Sequence, residues 1–142
     1  EIEQNLPSID ADPERLKQVI TNLVGNALKF TDPGATITIK SRLVTEKVLS
    51  KGYRHPIQNA AGKYVEISVI DTGWGIPENE LDKIFEKFYQ VGGTTPKKPK
   101  GTGLGLSIAA EIVKFHDGEI GVESVLGKGT TFKFVIPVFR AK

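Results

Sequence analysis

Three polar side chains recur at regular intervals within one apolar stretch: Asn22, Asn26 and Lys29. The spacing i, i+4, i+7 places them on one flank of a helix. An asparagine carbonyl can ligate Mg2+, an ion that takes few protein ligands and completes its shell with phosphate oxygens and water. A lysine beside it meets phosphate as a compact positive charge. Two glycine-rich runs follow, Asp71-Thr72-Gly73-Trp74-Gly75-Ile76-Pro77 and Gly101-Thr102-Gly103-Leu104-Gly105-Leu106-Ser107. Glycine lets backbone N–H groups approach phosphate closely. Together these residue types describe a site for a magnesium nucleotide.

Each feature also has a plainer reading. The asparagines can be solvated polar residues, and Lys29 can complement the negative end of its helix. Asp71 shares the strand face of Val65, Ile67 and Val69, which points its carboxylate inward. That costs several kcal/mol without partners. An adenine amino group is one partner, and the local backbone of Thr72 and Gly73 is another. Gly101, Gly103 and Gly105 precede a second helix, whose N-terminus attracts anions; a hinge that needs positive φ would use the same residues. The common nucleotide fingerprints fail. Ile108 stands where G-x-G-x-x-G needs its last glycine, and Gly127-Lys128-Gly129 lacks the Ser/Thr and upstream glycine of a P-loop. Phe85 and Phe88 read as packing for a lid over the site. His116 reads as a helix-end dipole partner or a packed ring. Lys97, Lys98 and Lys100 form a solvated run or part of a loop that folds over a triphosphate.

The elements that position these residues follow from periodicity. Asp12 is a good N-cap and Pro13 suits the first helical position. Leu16, Val19, Ile20, Leu23, Val24, Ala27 and Leu28 then make one buried stripe, ending near Thr31 before Asp32-Pro33-Gly34. Strands are predicted over 36–43 and 64–70, joined by a long exposed connection over 46–63. Residues 71–104 contain both glycine turns and a polar stretch, long enough to be functional. Within them, 77–88 is predicted as a short helix displaying Leu81, Ile84, Phe85 and Phe88. A second long helix starts near Leu104, carries Ile108, Ile112 and Phe115, and ends around His116-Asp117-Gly118. Strands over 119–124 and 130–138 close the chain. The order helix, two strands, helix, two strands predicts an α+β, two-layer sandwich: a mostly antiparallel mixed sheet with helices on one face.

Composition narrows the function classes. The 142 residues suit one domain, spanning 1–142, and the 39% hydrophobic and 25% charged content is that of a globular protein. A net charge of +2 gives no electrostatic signature for nucleic acid. With no cysteine and only His55 and His116, thiol catalysis, disulfides and multi-histidine metal sites are excluded. No apolar run reaches the ~20 residues of a membrane span, and no signal peptide is visible. The chain lacks methionine and starts mid-pattern at Glu1, which reads as a piece of a longer protein.

Five segments carry a specific resemblance. Asp12–Thr31 resembles the N box of sensor histidine kinases, "DTGWGIP" the G1 box, "IFEKFYQV" (Ile84–Val91) the F box, "GTGLGLSIA" (Gly101–Ala109) the G2 box, and "GKGTTFKFVIP" (Gly127–Pro137) the terminal strand motif. They occur in family order over nearly the whole chain. The resemblance implies the catalytic, ATP-binding domain of a two-component kinase, with the Bergerat fold shared by DNA gyrase, mismatch-repair ATPases and the large heat-shock chaperone. It implies ATP and Mg2+ as cofactors. Asn26 would hold Mg2+, with Asn22 nearby, and Lys29 would touch phosphate. Phe30 would lie along the adenine, and Asp71 would accept from its amino group. Gly73, Gly75 and Ile76 would shape that pocket. Gly101, Thr102, Gly103, Leu104, Gly105 and Leu106 would bind the phosphates, and Thr130 would support the base end by hydrogen bonding. ATP-hydrolysing relatives usually carry a glutamate four residues before the magnesium asparagine, where this chain has Asn22. That substitution implies transfer to a supplied nucleophile rather than hydrolysis. The acceptor histidine would lie in a separate dimerisation domain of the parent protein, which would pass the phosphate to a response regulator in the cytoplasm. Neither nucleic-acid binding nor direct membrane insertion is implied. A non-catalytic nucleotide-binding module is the alternative, and a gyrase- or chaperone-type ATPase a third reading.

Overall fold

A computed structural model describes residues 12–45, 63–87 and 105–138. The first helix, α1, spans Pro13–Lys29. Its start follows the capping rule: the Asp12 carboxylate accepts from Glu14 N at 3.0 Å, with Pro13 at the first position. Val19, Leu23 and Ala27 are its buried residues. Leu28, expected in the stripe, is 61% exposed, because the stripe narrows to Ala27 in the last turn.

Four strands form one sheet: β1 Ile37–Thr45, β2 Lys63–Asp71, β3 Glu119–Val125 and β4 Gly129–Pro137. Their order is β1-β2-β4-β3, and every pairing among the described strands is antiparallel. The second helix, α2, spans Gly105–Phe115 and packs beside α1. Asp117 adopts φ 60 just past its end, with Gly118 N bonded to Val113 O and Asp117 N to Lys114 O. That left-handed turn satisfies the last helical carbonyls.

The core lies between the helices and one sheet face. Val19, Leu23 and Ala27 of α1 meet Ala109 and Val113 of α2, above Val69, Ile120, Phe132, Phe134 and Ile136. Ser107 and Ala109, small and buried, let the helices approach. The expected α2 stripe is therefore rotated. Ile112 is only partly buried and Phe115 is 84% exposed. The expected helix over 77–88 is also corrected. Only Glu78–Glu80 form a 3-10 turn, followed by further turns. These suffice to bury Ile84 and Phe85 in the main core rather than in a separate lid cluster. Phe88 lies outside the described residues, as do the lysines at 97, 98 and 100 and nearly all of the 46–63 connection.

Part of the opposite sheet face is buried too. Val44, Tyr64 and Val135 form a second cluster. Beside it, Arg42 Nε donates to the buried Glu66 at 2.8 Å, and the buried Lys133 Nζ donates to Glu123 at 3.1 Å.

Candidate functional site

The site grows from the end of β2. Alternation along the strand turns Asp71 to the helix face, and it is only 3% exposed. Its Cα partners are Ile37 on β1 and Thr130 on β4. Asp71 Oδ1 accepts from Gly73 N at 2.9 Å and from Thr130 N at 3.2 Å. Asp71 Oδ2 is buried and has no hydrogen-bond partner among the described residues. Burial pushes this carboxyl above its ordinary value of 3.8, while the N–H groups of Gly73 and Thr130 hold it back. A buried carboxylate oxygen with no donor is costly, and a ligand N–H would satisfy it.

Backbone contacts hold the turn after Asp71 against the end of α1. A Cβ on Gly73 would run into the Phe30 carbonyl oxygen and stand 2.8 Å from Thr31 Cγ2, so no larger residue fits without a shift. Trp74 N donates to that same carbonyl at 2.9 Å. The Trp74 ring meets Phe30 edge-to-face at 6.5 Å, and its Nε1 donates to Asp32 Oδ2 at 2.8 Å. Gly75 has φ 77 and lies against the β3–β4 hairpin, where a Cβ would run into the Val125 carbonyl oxygen. Only glycine meets both demands. Ile76 is buried in the core, and its N–H donates to Ser124 Oγ at 2.7 Å. Phe30, Asp71, Gly73, Gly75, Ile76 and Thr130, expected together from sequence, are thus joined at one end of the sandwich.

Asn22, Asn26 and Lys29 lie along α1 leading to Phe30. Asn22 Nδ2 donates to the Gly105 carbonyl at 3.1 Å, tying α1 to the first residue of α2. Its Oδ1 is left as an acceptor. The Asn26 amide, half-buried, makes no hydrogen bond to the described residues. Two amide oxygens suit Mg2+, which keeps the rest of its shell for phosphate and water. Among the described residues no group of three or more His, Cys, Asp or Glu could hold a metal. Leu106 packs on the core. Gly101, Thr102, Gly103 and Leu104 lie outside the described residues.

His116 combines its two readings: a half-buried ring at the end of α2 that bonds a carbonyl of the helix's last turn. Its Nδ1 lies 2.8 Å from the Ile112 carbonyl, and its Nε2 accepts from Asp12 N at 3.0 Å. Nε2 acts as acceptor, so Nδ1 carries the proton. The ring fastens the start of α1 to the end of α2.

Sequence reasoning missed Ser124 and Trp74. Ser124 carries no local signal, since its partners are 48 residues back at Ile76 and six ahead at Thr130. Trp74 was visible as the one tryptophan, inside a glycine turn.

Residues 11–140 match the profile of the histidine kinase-, DNA gyrase B- and HSP90-like ATPases. The adaptive-response sensory kinase SasA of Synechococcus elongatus is 40% identical over 136 residues, covering 96% of this chain and 30% of that protein. The sensor histidine kinase RcsC of Escherichia coli K12 is 39% identical over 142 residues, covering 99% of this chain and 13% of that protein. The chain therefore spans under a third of these relatives' length. Among solved structures, full-length ShkA in complex with AMPPNP superposes with a TM-score of 0.74 at 31% identity, over 99% of this chain and 25% of that one. The catalytic domain of the histidine kinase ThkA, nucleotide-free, superposes at 0.67 with 34% identity, over 92% of this chain and 70% of that one.

Proposed function

The chain belongs to the family of histidine kinase-, DNA gyrase B- and HSP90-like ATPases, and we propose that it binds Mg-ATP and donates the γ-phosphate to a histidine on a separate dimerisation domain, in two-component signalling. The observation that carries the reading is Asp71 Oδ2, buried and without a donor among the described residues, at the end of the sandwich where Phe30 and Thr130 converge. The amino group of adenine supplies the missing N–H. Phe30, backed by the Trp74 ring, forms an apolar wall for the base.

The phosphates would extend from this end along the flank of α1. Lys29 offers positive charge, and Asn26 and Asn22 offer amide oxygens to Mg2+. The ion, when bound, neutralises phosphate charge. In phosphoryl transfer the protein positions the chain of phosphates and stabilises charge, and the acceptor supplies the attacking atom. One observation favours transfer over hydrolysis. Asn22 cannot take a proton at neutral pH, and its amide is committed to Gly105 O. His116 has both ring nitrogens engaged, which supports an acceptor outside the described residues. A response regulator would then receive the phosphate through the parent protein. No described helix is long and apolar enough to cross a membrane.

The test is calorimetric titration of the chain with ADP and a non-hydrolysable ATP analogue, with and without Mg2+. The reading expects saturable binding of both, with the analogue tightened by Mg2+. Absence of binding would overturn it and favour a non-catalytic module.

A further inference from the structure

Trp74 is the chain's one tryptophan, and its contacts close a ring around the end of α1. Phe30 caps α1 with φ −105 and ψ 15, outside the helical region. Its N–H is shared between Asn26 O and Ala27 O, each at 3.3 Å. Helix ends of this kind fray, so α1 alone does not orient the Phe30 ring. Two contacts to Trp74 add to its packing on the core. The Phe30 carbonyl accepts from Trp74 N at 2.9 Å, and the two rings meet edge-to-face at 6.5 Å. Asp32 fixes the indole in turn: its Oδ2 accepts from Nε1 at 2.8 Å.

Packing does not hold the indole on every side. A cleft of about 560 Å³ opens beside it, lined in part by Asp32, Pro33, Thr72, Trp74 and Leu126. Gly127 N donates to the Trp74 carbonyl at 2.7 Å, which ties down the main chain of Trp74 but leaves its side-chain rotamer open. The indole N–H only donates, and Asp32 supplies its acceptor. Of these contacts, the bond to Asp32 is the one that selects a direction for the ring. Asp32 lies two residues beyond Phe30, so the path from Phe30 through Trp74 to Asp32 closes on itself through Thr31.

We infer that Asp32 is a positioning residue for the base: through the Trp74 indole it holds the Phe30 ring in place before a nucleotide arrives. The inference rests on the nucleotide reading above, in which Phe30 is the wall along the adenine, and adds to it a residue that acts through another. A wall ordered in advance spares binding the cost of ordering it. Without Asp32 the indole is free to swing into the cleft, and the Phe30 ring loses the neighbour at its edge. What the strut requires is an acceptor oxygen rather than a charge, and an amide offers that oxygen too.

The test reads ADP affinity by calorimetry and the motion of the one tryptophan by time-resolved fluorescence anisotropy. Asp32→Ala is expected to weaken ADP by about fivefold and to add fast local motion to the indole. Asp32→Asn keeps the acceptor and is expected to stay within about twofold of wild type, with the indole as still as in wild type. Trp74→Phe has no N–H for Asp32 and is expected to weaken ADP by about fivefold; in that background Asp32→Ala adds no further loss. A charge effect would move the asparagine and alanine variants alike, so an equal loss in both overturns the inference. A purely structural role would lower the urea midpoint and leave the ADP affinity of the folded protein unmoved. Should Asp32→Ala fail to fold, Trp74→Phe beside Asp32→Asn makes the same comparison. A wild type that binds no ADP overturns the nucleotide reading and this inference with it. A wild type that binds ADP, with affinity unchanged within about twofold in Asp32→Ala or Trp74→Phe, overturns this inference alone.

Discussion

Replacing Asp71 by asparagine separates the cost of this carboxylate to the fold from its use in binding. The asparagine side chain would keep an oxygen for the N–H groups of Gly73 and Thr130. It would replace the unpartnered Oδ2 with an amide N–H2. Burial raises the Asp71 carboxyl above 3.8 in the fold. The folded state therefore holds its proton more tightly than the unfolded state does. The associated stability is fully present below about pH 3.8 and is lost as pH rises through the folded value. Above the folded value the ligand-free protein carries a buried charge that asparagine removes. An unsatisfied buried polar group costs about 1–3 kcal/mol, and more if charged. Asparagine exchanges the charged case for the neutral one. The variant should unfold in urea at neutral pH within about 1 kcal/mol of wild type or above it, and it should lose the wild type's fall in stability that this group causes as pH rises from about 3.8 through the folded value. Binding should go the other way. A charge-assisted hydrogen bond of about 1.5–3 kcal/mol is lost and a donor now faces the adenine amino group, so ADP affinity falls by roughly 100-fold. A variant destabilised by more than about 3 kcal/mol at neutral pH would mean that the carboxylate holds the fold together. Unchanged ADP affinity would place the base elsewhere.

Other substitutions probe the surrounding contacts. Gly73→Ala drives a methyl group into the Phe30 carbonyl; a loss of about 2–4 kcal/mol is expected in denaturant titration. Trp74→Phe keeps a ring against Phe30 but loses the bond to Asp32. It should cost about 1 kcal/mol, read as a shift in urea midpoint. Asn22→Ala releases the Gly105 carbonyl from its only bridge to α1 among the described hydrogen bonds. It should cost about 1 kcal/mol in stability, and Mg2+ should tighten the ATP analogue less than in wild type.

Much of the fold was legible because its signals are local. The cap Asp12-Pro13 and the stripe through Val19, Leu23 and Ala27 specify α1 without reference to the rest of the chain. Alternation along 64–70, carried on to Asp71, predicts both β2 and the inward carboxylate. Legibility ended where position depends on distant partners. Leu81, Ile84 and Phe85 have helical spacing, but turns after Pro77 already deliver Ile84 and Phe85 to the core, so no helix is required. Phe115 fits the α2 period, yet the packing face is set by Ser107, Ala109 and Val113, whose small size admits α1. Ser124 reads as an ordinary strand serine until the pairing of β3 with β4 sets it between Ile76 and Thr130. The base end of the site thus follows from pattern and register together, whereas its donor and acceptor directions follow only from the assembled sheet.

The central claim is transfer of the γ-phosphate to a histidine supplied by another domain. The direct measurement incubates the chain with Mg2+, ATP labelled in the γ position, and the purified histidine-bearing dimerisation domain of the parent protein, and follows label on both proteins and as free phosphate. The account predicts acid-labile, alkali-stable label on the partner histidine, dependent on Mg2+ and lost with Asp71→Asn. Steady release of inorganic phosphate with no label on the partner would contradict it.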